Sequence, residues 1–337
     1  MSSVEVCGGI EDPTTGVNMT EQSVLKVSCP VCGGTDIHRD AVYRGRSRQF
    51  KDLLLLQCDA CELVFAYPLP TESELATYNR SYFQHAHGGS PTESALLFFA
   101  GMAHLRVQHV RAFLTSRQLS PVSVLEIGPG PGLFCERYLE QDPKPLYVAV
   151  EPDLAMHERL RELGARAYTR LQEIPESEMG FDLLIMSHVL EHSSTPVSFL
   201  RDVLRFVNPG GTAFIEVPCR DHEFKRINEP HLLFFDKPAM RELLGKVNLT
   251  DIELTYHGQD LRQLRRESYV WHRLLRRLRN AIPALDSPIA VSPPRGGPAL
   301  EAIPDPALQD AVRGHEAHLT KECPSWWLRA LARKPPK

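Results

Sequence analysis

The segment that most constrains this chain is Val124-Leu-Glu126-Ile-Gly128-Pro-Gly130-Pro-Gly132. A short apolar run carries an acidic residue and passes into three glycines alternating with prolines, just before a helix-like stretch. Glycines at such a strand-to-helix turn let the backbone bend sharply and let a ligand approach it closely. A dinucleotide fingerprint would need G-x-G-x-x-G, and position 133 is Leu. A pyrophosphate cradle also works through donated backbone N–H groups, which Pro129 and Pro131 lack. Glu126 would add negative charge beside the phosphates. The loop therefore suits a cationic or zwitterionic ligand.

The chain around the loop repeats one pattern. Short apolar runs at 123–127, 146–150, 165–168, 181–186 and 211–217 alternate with helix-like spacing at 133–140, 154–163 and 196–206. Strand and helix in alternation predict an α/β fold, with a parallel sheet covered by helices on both faces. Glu151 follows the second run, 25 residues after Glu126. An acidic side chain at that place on such a sheet is suited to the two hydroxyls of a ribose.

A second constraint lies upstream. Cys29-Pro-Val-Cys32-Gly-Gly and Cys58-Asp-Ala-Cys61 are two C-x-x-C pairs with 25 residues between them. Four thiolates so spaced can close a tetrahedral shell around zinc, leaving no position open for water, so the ion is expected to be structural. It would fold a unit of roughly 40 residues, too small to be stable alone. The expected organisation is a lead-in at 1–26, a zinc-ribbon unit at 27–70, the main domain at 71–257, and a C-terminal part at 258–337. That last part is read as an Arg-rich helix, a Pro-rich linker and a tail containing Trp326 and Trp327.

Composition bears on partners. The 38 basic and 42 acidic side chains leave a net charge of −4, no general pull toward nucleic acid or an anionic membrane. No run approaches the ~20 apolar residues of a membrane span, and no basic-then-apolar leader begins the chain. A cytoplasmic protein with reduced thiols is expected. The exception to the charge balance is 261–279, with seven arginines and one glutamate interleaved with Tyr269 and Trp271. That pattern fits a solvated amphipathic helix, and equally a surface for an anionic ligand, nucleic acid or lipid headgroups. Seven prolines within 283–306 argue against a regular element there.

Taken as a set, the glycine loop, Glu151, Phe181-Asp-Leu-Leu-Ile-Met-Ser-His188-Val-Leu-Glu191-His192 and Leu204-Arg-Phe-Val-Asn-Pro209-Gly210-Gly211 resemble the class I S-adenosylmethionine-dependent methyltransferases over about residues 92–254. The paired cysteines, Tyr78, Tyr82-Phe83 and Glu229-Pro-His231-Leu-Leu-Phe234 further resemble bacterial members with an N-terminal zinc-binding unit, which include enzymes acting on sugars and natural products. The resemblance implies a Rossmann-like, seven-stranded, mostly parallel sheet, with the zinc ribbon before it and a helical extension after it. It places the donor's methionine part at Glu126, Gly128, Gly130 and Gly132, its ribose at Glu151, and its sulfonium side near Ser187 and His188. Where the family often has an acid for the adenine amine this chain has Arg170, leaving Leu171 and Gln172 for those contacts.

Methyl transfer from a sulfonium asks a protein to align and desolvate the nucleophile and, for a sugar hydroxyl, to remove its proton. His231 is expected to be that base, with Glu229 supporting it and His188 facing the donor. His192 reads as structural. The leading expectation is O-methylation of a small molecule or glycan precursor. An RNA methyltransferase with a zinc-binding recognition unit is the alternative, weakened by the net charge and by the lack of an Asn/Asp-Pro-Pro-Tyr type segment.

Overall fold

The computed structural model describes residues 27–79, 93–141, 145–262, 264–265, 303, 305–315 and 322–336. Two sheets organise it. The larger has seven strands, β4 (Ser123–Ile127), β5 (Leu146–Val150), β6 (Arg166–Tyr168), β7 (Phe181–Ser187), β8 (Val207–Pro218), β10 (Thr250–Asp260) and β11 (Ser325–Arg333). Their order is β10-β11-β8-β7-β4-β5-β6. The five strands from β8 to β6 are parallel, while β11 runs antiparallel to both β8 and β10. The sheet is thus mixed and mostly parallel, as expected.

The parallel strands owe their form to their sequences. All five residues of β4 are buried, the near-continuous apolar pattern of a strand covered on both faces. The connecting helices are α3 (Leu133–Gln141), α4 (His157–Glu162) and α5 (Pro196–Leu204), the last begun by a proline in its first turn. Of the run 154–163 expected to be one helix, Leu154–Met156 is a 3-10 turn and only His157–Glu162 is α-helical. Ahead of the sheet, α1 spans Glu72–Asn79 and the 24-residue α2 spans Glu93–Ser116. After β8 come α6 (Lys237–Lys246) and α7 (Pro306–Arg313), completing seven helices among the described residues. No helix among them is long and apolar enough to cross a membrane.

The C-terminal tail corrects an expectation. Instead of ending a helical extension, Ser325–Arg333 lies between β8 and β10 as an interior strand, with Arg329 opposite Glu216 and Trp327 opposite Pro218. Both faces of β11 are buried. Its apolar run was therefore that of a core strand, and the charge that obscured it, Arg329, is neutralised by the residue it faces. The Arg-rich helix expected over 261–279 and the Pro-rich stretch at 283–306 lie almost wholly outside the described residues.

The smaller sheet is β1 (Ile37–Val42), β2 (Leu54–Cys58), β3 (Val64–Tyr67) and β9 (Leu233–Phe234), antiparallel throughout. Three of its strands belong to the cysteine-bearing unit, and the fourth comes from the segment after β8. One continuous apolar core joins the two units, running from Phe50, Leu55 and Phe65 through Leu232 and Phe235 to Leu184, Met186 and Ile215. Each such side chain removed from water contributes roughly 1.5–3 kcal/mol.

Candidate active site

Gly128, Gly130 and Gly132 all adopt positive φ (65°, 55° and 75°). A Cβ at Gly128 would stand 2.6 Å from Val189, so that position is closed by packing as well as conformation. At Gly130 a Cβ would meet nothing within 4 Å. The left-handed turn there bares the backbone toward an open space, the property a ligand cradle needs.

Glu151 borders the same space. Its carboxylate accepts hydrogen bonds from Gly130 N (2.9 Å) and Asp153 N (2.9 Å), which aim it across the loop. Burial raises its pKa, partly offset by those two N–H donors. Glu126 lies deeper and accepts a bond from the Tyr147 hydroxyl at 2.6 Å. Burial pushes its carboxyl up to about 7, against the pull of Tyr147 and of the Arg106 guanidinium. A carboxyl held near neutrality needs only a nearby cation to ionise fully. The donor set therefore fits a ligand with an ammonium group and a ribose. Of the residues expected at the adenine, Leu171 is buried and Gln172 is exposed, while Arg170 is drawn to Glu173 at 3.1 Å.

Beyond the loop lies a charged network that sequence reasoning missed. Glu216 of β8 is fully buried and accepts from Arg106 Nε (2.7 Å) and Arg329 Nε (2.5 Å), with His188 Nε2 3.2 Å away. Burial opposes ionisation of Glu216, but the two guanidiniums and His188 hold its pKa well below the carboxylate range. His188 follows β7 at φ 58°, packs edge-on against Trp327 (centroids 4.6 Å apart), and meets Glu191 through Nδ1 at 3.2 Å. Burial lowers the His188 pKa, yet Glu191 and Glu216 on either side carry it above the usual value. Both ring nitrogens are engaged, Nδ1 with Glu191 and Nε2 beside Glu216 and Arg106, so the His188 ring is fixed in place. Ser187 Oγ is buried without a hydrogen-bond partner.

His231 lies at the far side of His192, their rings 5.0 Å apart. The acid that supports it is Asp221, bonded to His231 Nδ1 at 2.7 Å, with Lys225 Nζ 2.8 Å from the same oxygen. Glu229, expected in that place, turns away. It accepts from Arg46 N (2.6 Å), Ser47 N (2.8 Å) and the Ser47 hydroxyl. The cause is the cysteine-bearing unit. Tyr43 donates to His231 O (2.9 Å), Arg44 N to Asn228 Oδ1 (2.8 Å), and Ala66 N to Leu232 O (2.8 Å). The N-terminal unit thus holds the loop that presents His231. Tyr78 packs edge-on against Phe50 of that unit, while Tyr82 and Phe83 lie outside the described residues.

The four cysteines converge at the base of that unit. Sγ separations are 3.6 Å for Cys29–Cys61 and 3.5 Å for Cys32–Cys58, and Gly34 N donates to Cys32 Sγ at 3.2 Å. Zinc with four bonds of ~2.3 Å sets its sulfurs about 3.8 Å apart, so the arrangement fits that ion.

The chain is similar to several known proteins. Residues 99–254 match the family model described as a methyltransferase domain. An uncharacterized methyltransferase of Mycolicibacterium gilvum is 31% identical over 99 residues, 28% of this chain and 38% of that protein, so the match spans little more than a third of its relative. A solved S-adenosylmethionine-dependent methyltransferase of Thermotoga maritima superposes with a TM-score of 0.45 at 14% identity, covering 76% of this chain and 97% of its own. The 1,6-didemethyltoxoflavin-N1-methyltransferase of Burkholderia thailandensis, solved with S-adenosylhomocysteine, gives 0.43 at 17% identity, covering 84% and 96%. Over residues 99–254 the chain is thus similar to a methyltransferase domain.

Proposed function

We propose that this domain transfers a methyl group from S-adenosylmethionine to a hydroxyl of a small molecule or glycan precursor. The observation that carries the reading is the open face of Gly130, with the Glu151 carboxylate bonded to its N–H and the near-neutral Glu126 behind it. When bound there, the donor supplies a methyl group already activated by its positive sulfur. Glu126 meets the donor's ammonium, and Glu151 its ribose hydroxyls. Ser187 and His188 border the sulfonium side, and Leu171 and Gln172 the base.

Transfer is an in-line displacement, in which an acceptor oxygen lone pair forms the new O–CH3 bond as S–CH3 breaks. The chain's part is to hold the oxygen in line and provide for the oxygen's proton. His231, braced by Asp221, is the residue assigned to that proton. Cys29, Cys32, Cys58 and Cys61 hold a structural zinc, which keeps the unit that positions His231 folded.

The test is label transfer from methyl-labelled S-adenosylmethionine into native cell extract, with the product sorted into nucleic-acid, protein and small-molecule or glycan fractions. Ribonuclease-insensitive label in the last fraction supports the reading. Ribonuclease-sensitive label would replace it with RNA methylation.

A further inference from the structure

Three potential ligand atoms meet around His231, one each from Glu191, His192 and His231, all within 4.8 Å of one another. They arise from different places in the chain, the turn after β7 and the loop held by the N-terminal unit. We infer that Glu191, His192 and His231 form a binding site for a divalent first-row transition metal ion, distinct from the four-cysteine site. The inference rests on the reading that His231 faces the acceptor.

The orientation of each group argues for a ligand set. A backbone carbonyl only accepts, so His192 Nδ1, 3.2 Å from Pro230 O, carries the proton and Nε2 presents its lone pair toward Glu191 (3.8 Å to Oε1). His231 Nδ1 donates to Asp221 at 2.7 Å, which likewise makes Nε2 the basic nitrogen. Each imidazole is thus fixed through its outer N–H by an oxygen acceptor, the support that metal-bound histidines have.

Glu191 supplies a second, independent observation. Its side chain is almost completely buried (1% exposed) and one oxygen, Oε1, lies near both His188 Nδ1 and His192 Nε2. The other, Oε2, is buried with no hydrogen-bond partner. A bare, dry carboxylate oxygen is costly unless something meets it. With bonds of ~2.0–2.2 Å, ligand atoms around an ion stand about 3–4 Å apart, so closing on one needs less than an ångström of movement. Two imidazoles and one carboxylate suit a borderline ion and leave positions open.

An acceptor hydroxyl oxygen completes the ion's shell. His231 then acts on the acceptor's proton through the ion, whose charge lowers the hydroxyl pKa so that the proton passes to water.

The experiment titrates Mn2+ into the full chain carrying its cysteine-bound zinc and monitors the free-ion paramagnetic resonance signal. Manganese stands at the weak end of the divalent series and does not displace zinc from four thiolates. One Mn2+ is expected per chain, weakened at least ~100-fold by His192→Ala and by Glu191→Gln, and about 10–100-fold by Asp221→Asn. Thermal unfolding and S-adenosylhomocysteine binding, measured on every variant, verify that it is folded. No saturable Mn2+ uptake by the parent chain, or equal uptake by folded His192→Ala and Glu191→Gln variants, overturns the inference. If the parent binds S-adenosylhomocysteine but not Mn2+, the metal site alone fails. If it binds Mn2+ but not S-adenosylhomocysteine, the donor reading fails.

Discussion

Glu216→Gln is the perturbation whose consequence is tied most directly to the packing. Glu216 and Arg329 are both fully buried, paired across β8 and β11, and Arg329 Nη1 and Nη2 have no hydrogen-bond partner. Arg106 shares the same carboxylate. Replacing the carboxylate by an amide leaves two guanidiniums around a neutral group, with Arg329 unable to reach water. Removing one partner of a buried pair costs about 3–5 kcal/mol. At about 2–4 °C per kcal/mol for domains of 150–250 residues, the midpoint of thermal unfolding should fall by roughly 6–20 °C. Glu216→Gln combined with Arg329→Met should recover more than half of the loss, because the stranded charge is gone. A single variant within 1 kcal/mol of the parent by denaturant titration (~1 kcal/mol being an ordinary mutational effect) would refute the reasoning.

Two further outcomes are expected. Because the folded pKa of Glu126 is raised to about 7, its contribution to stability is full below the unfolded value and is lost as pH rises through about 7. The unfolding midpoint of the ligand-free chain should therefore drop over that window, with Glu126→Gln flattening the drop. At pH 7 about half a proton should leave when the ammonium of the zwitterionic product, S-adenosylhomocysteine, binds beside Glu126, seen by calorimetry in buffers of different ionisation enthalpy; proton uptake would contradict the assignment. Cys58→Ser should abolish the four-sulfur site, whose ion in small zinc units contributes apparent values of about 10–16 kcal/mol. Limited proteolysis should then cut within residues 27–67, and survival of that segment would show that it folds without metal.

The parallel half of the large sheet was legible because its signals are local. Each strand is a short buried run, and each turn carries its own punctuation, most plainly at Gly128–Gly132. Glu126 in β4 and Glu151 after β5, the acids proposed to face the donor, stand where that local pattern put them. The elements that escaped were set by distant partners. Arg329 makes the tail look like a charged end of chain until Glu216, more than a hundred residues earlier, is placed opposite it. The two-residue strand β9 is too short to carry a pattern, yet it ties the cysteine unit to the catalytic sheet. Glu229 was the natural partner for His231 by proximity in sequence. The loop, however, is bonded to residues 43–47, which turn Glu229 outward and leave Asp221 beneath the imidazole. The association of His192 with His231 exists only once that loop is in place.

The central claim is that the open face of Gly130, between Glu126 and Glu151, holds the methyl donor. Calorimetric titration of S-adenosylhomocysteine into the full chain and into Gly130→Val tests it most directly. A valine there bears about 1–2 kcal/mol of left-handed backbone strain and projects its side chain into the open space. The account predicts saturable binding of one molecule per parent chain, and its loss in a variant that still unfolds cooperatively. No binding by the parent chain, or equal binding by the variant, would contradict it.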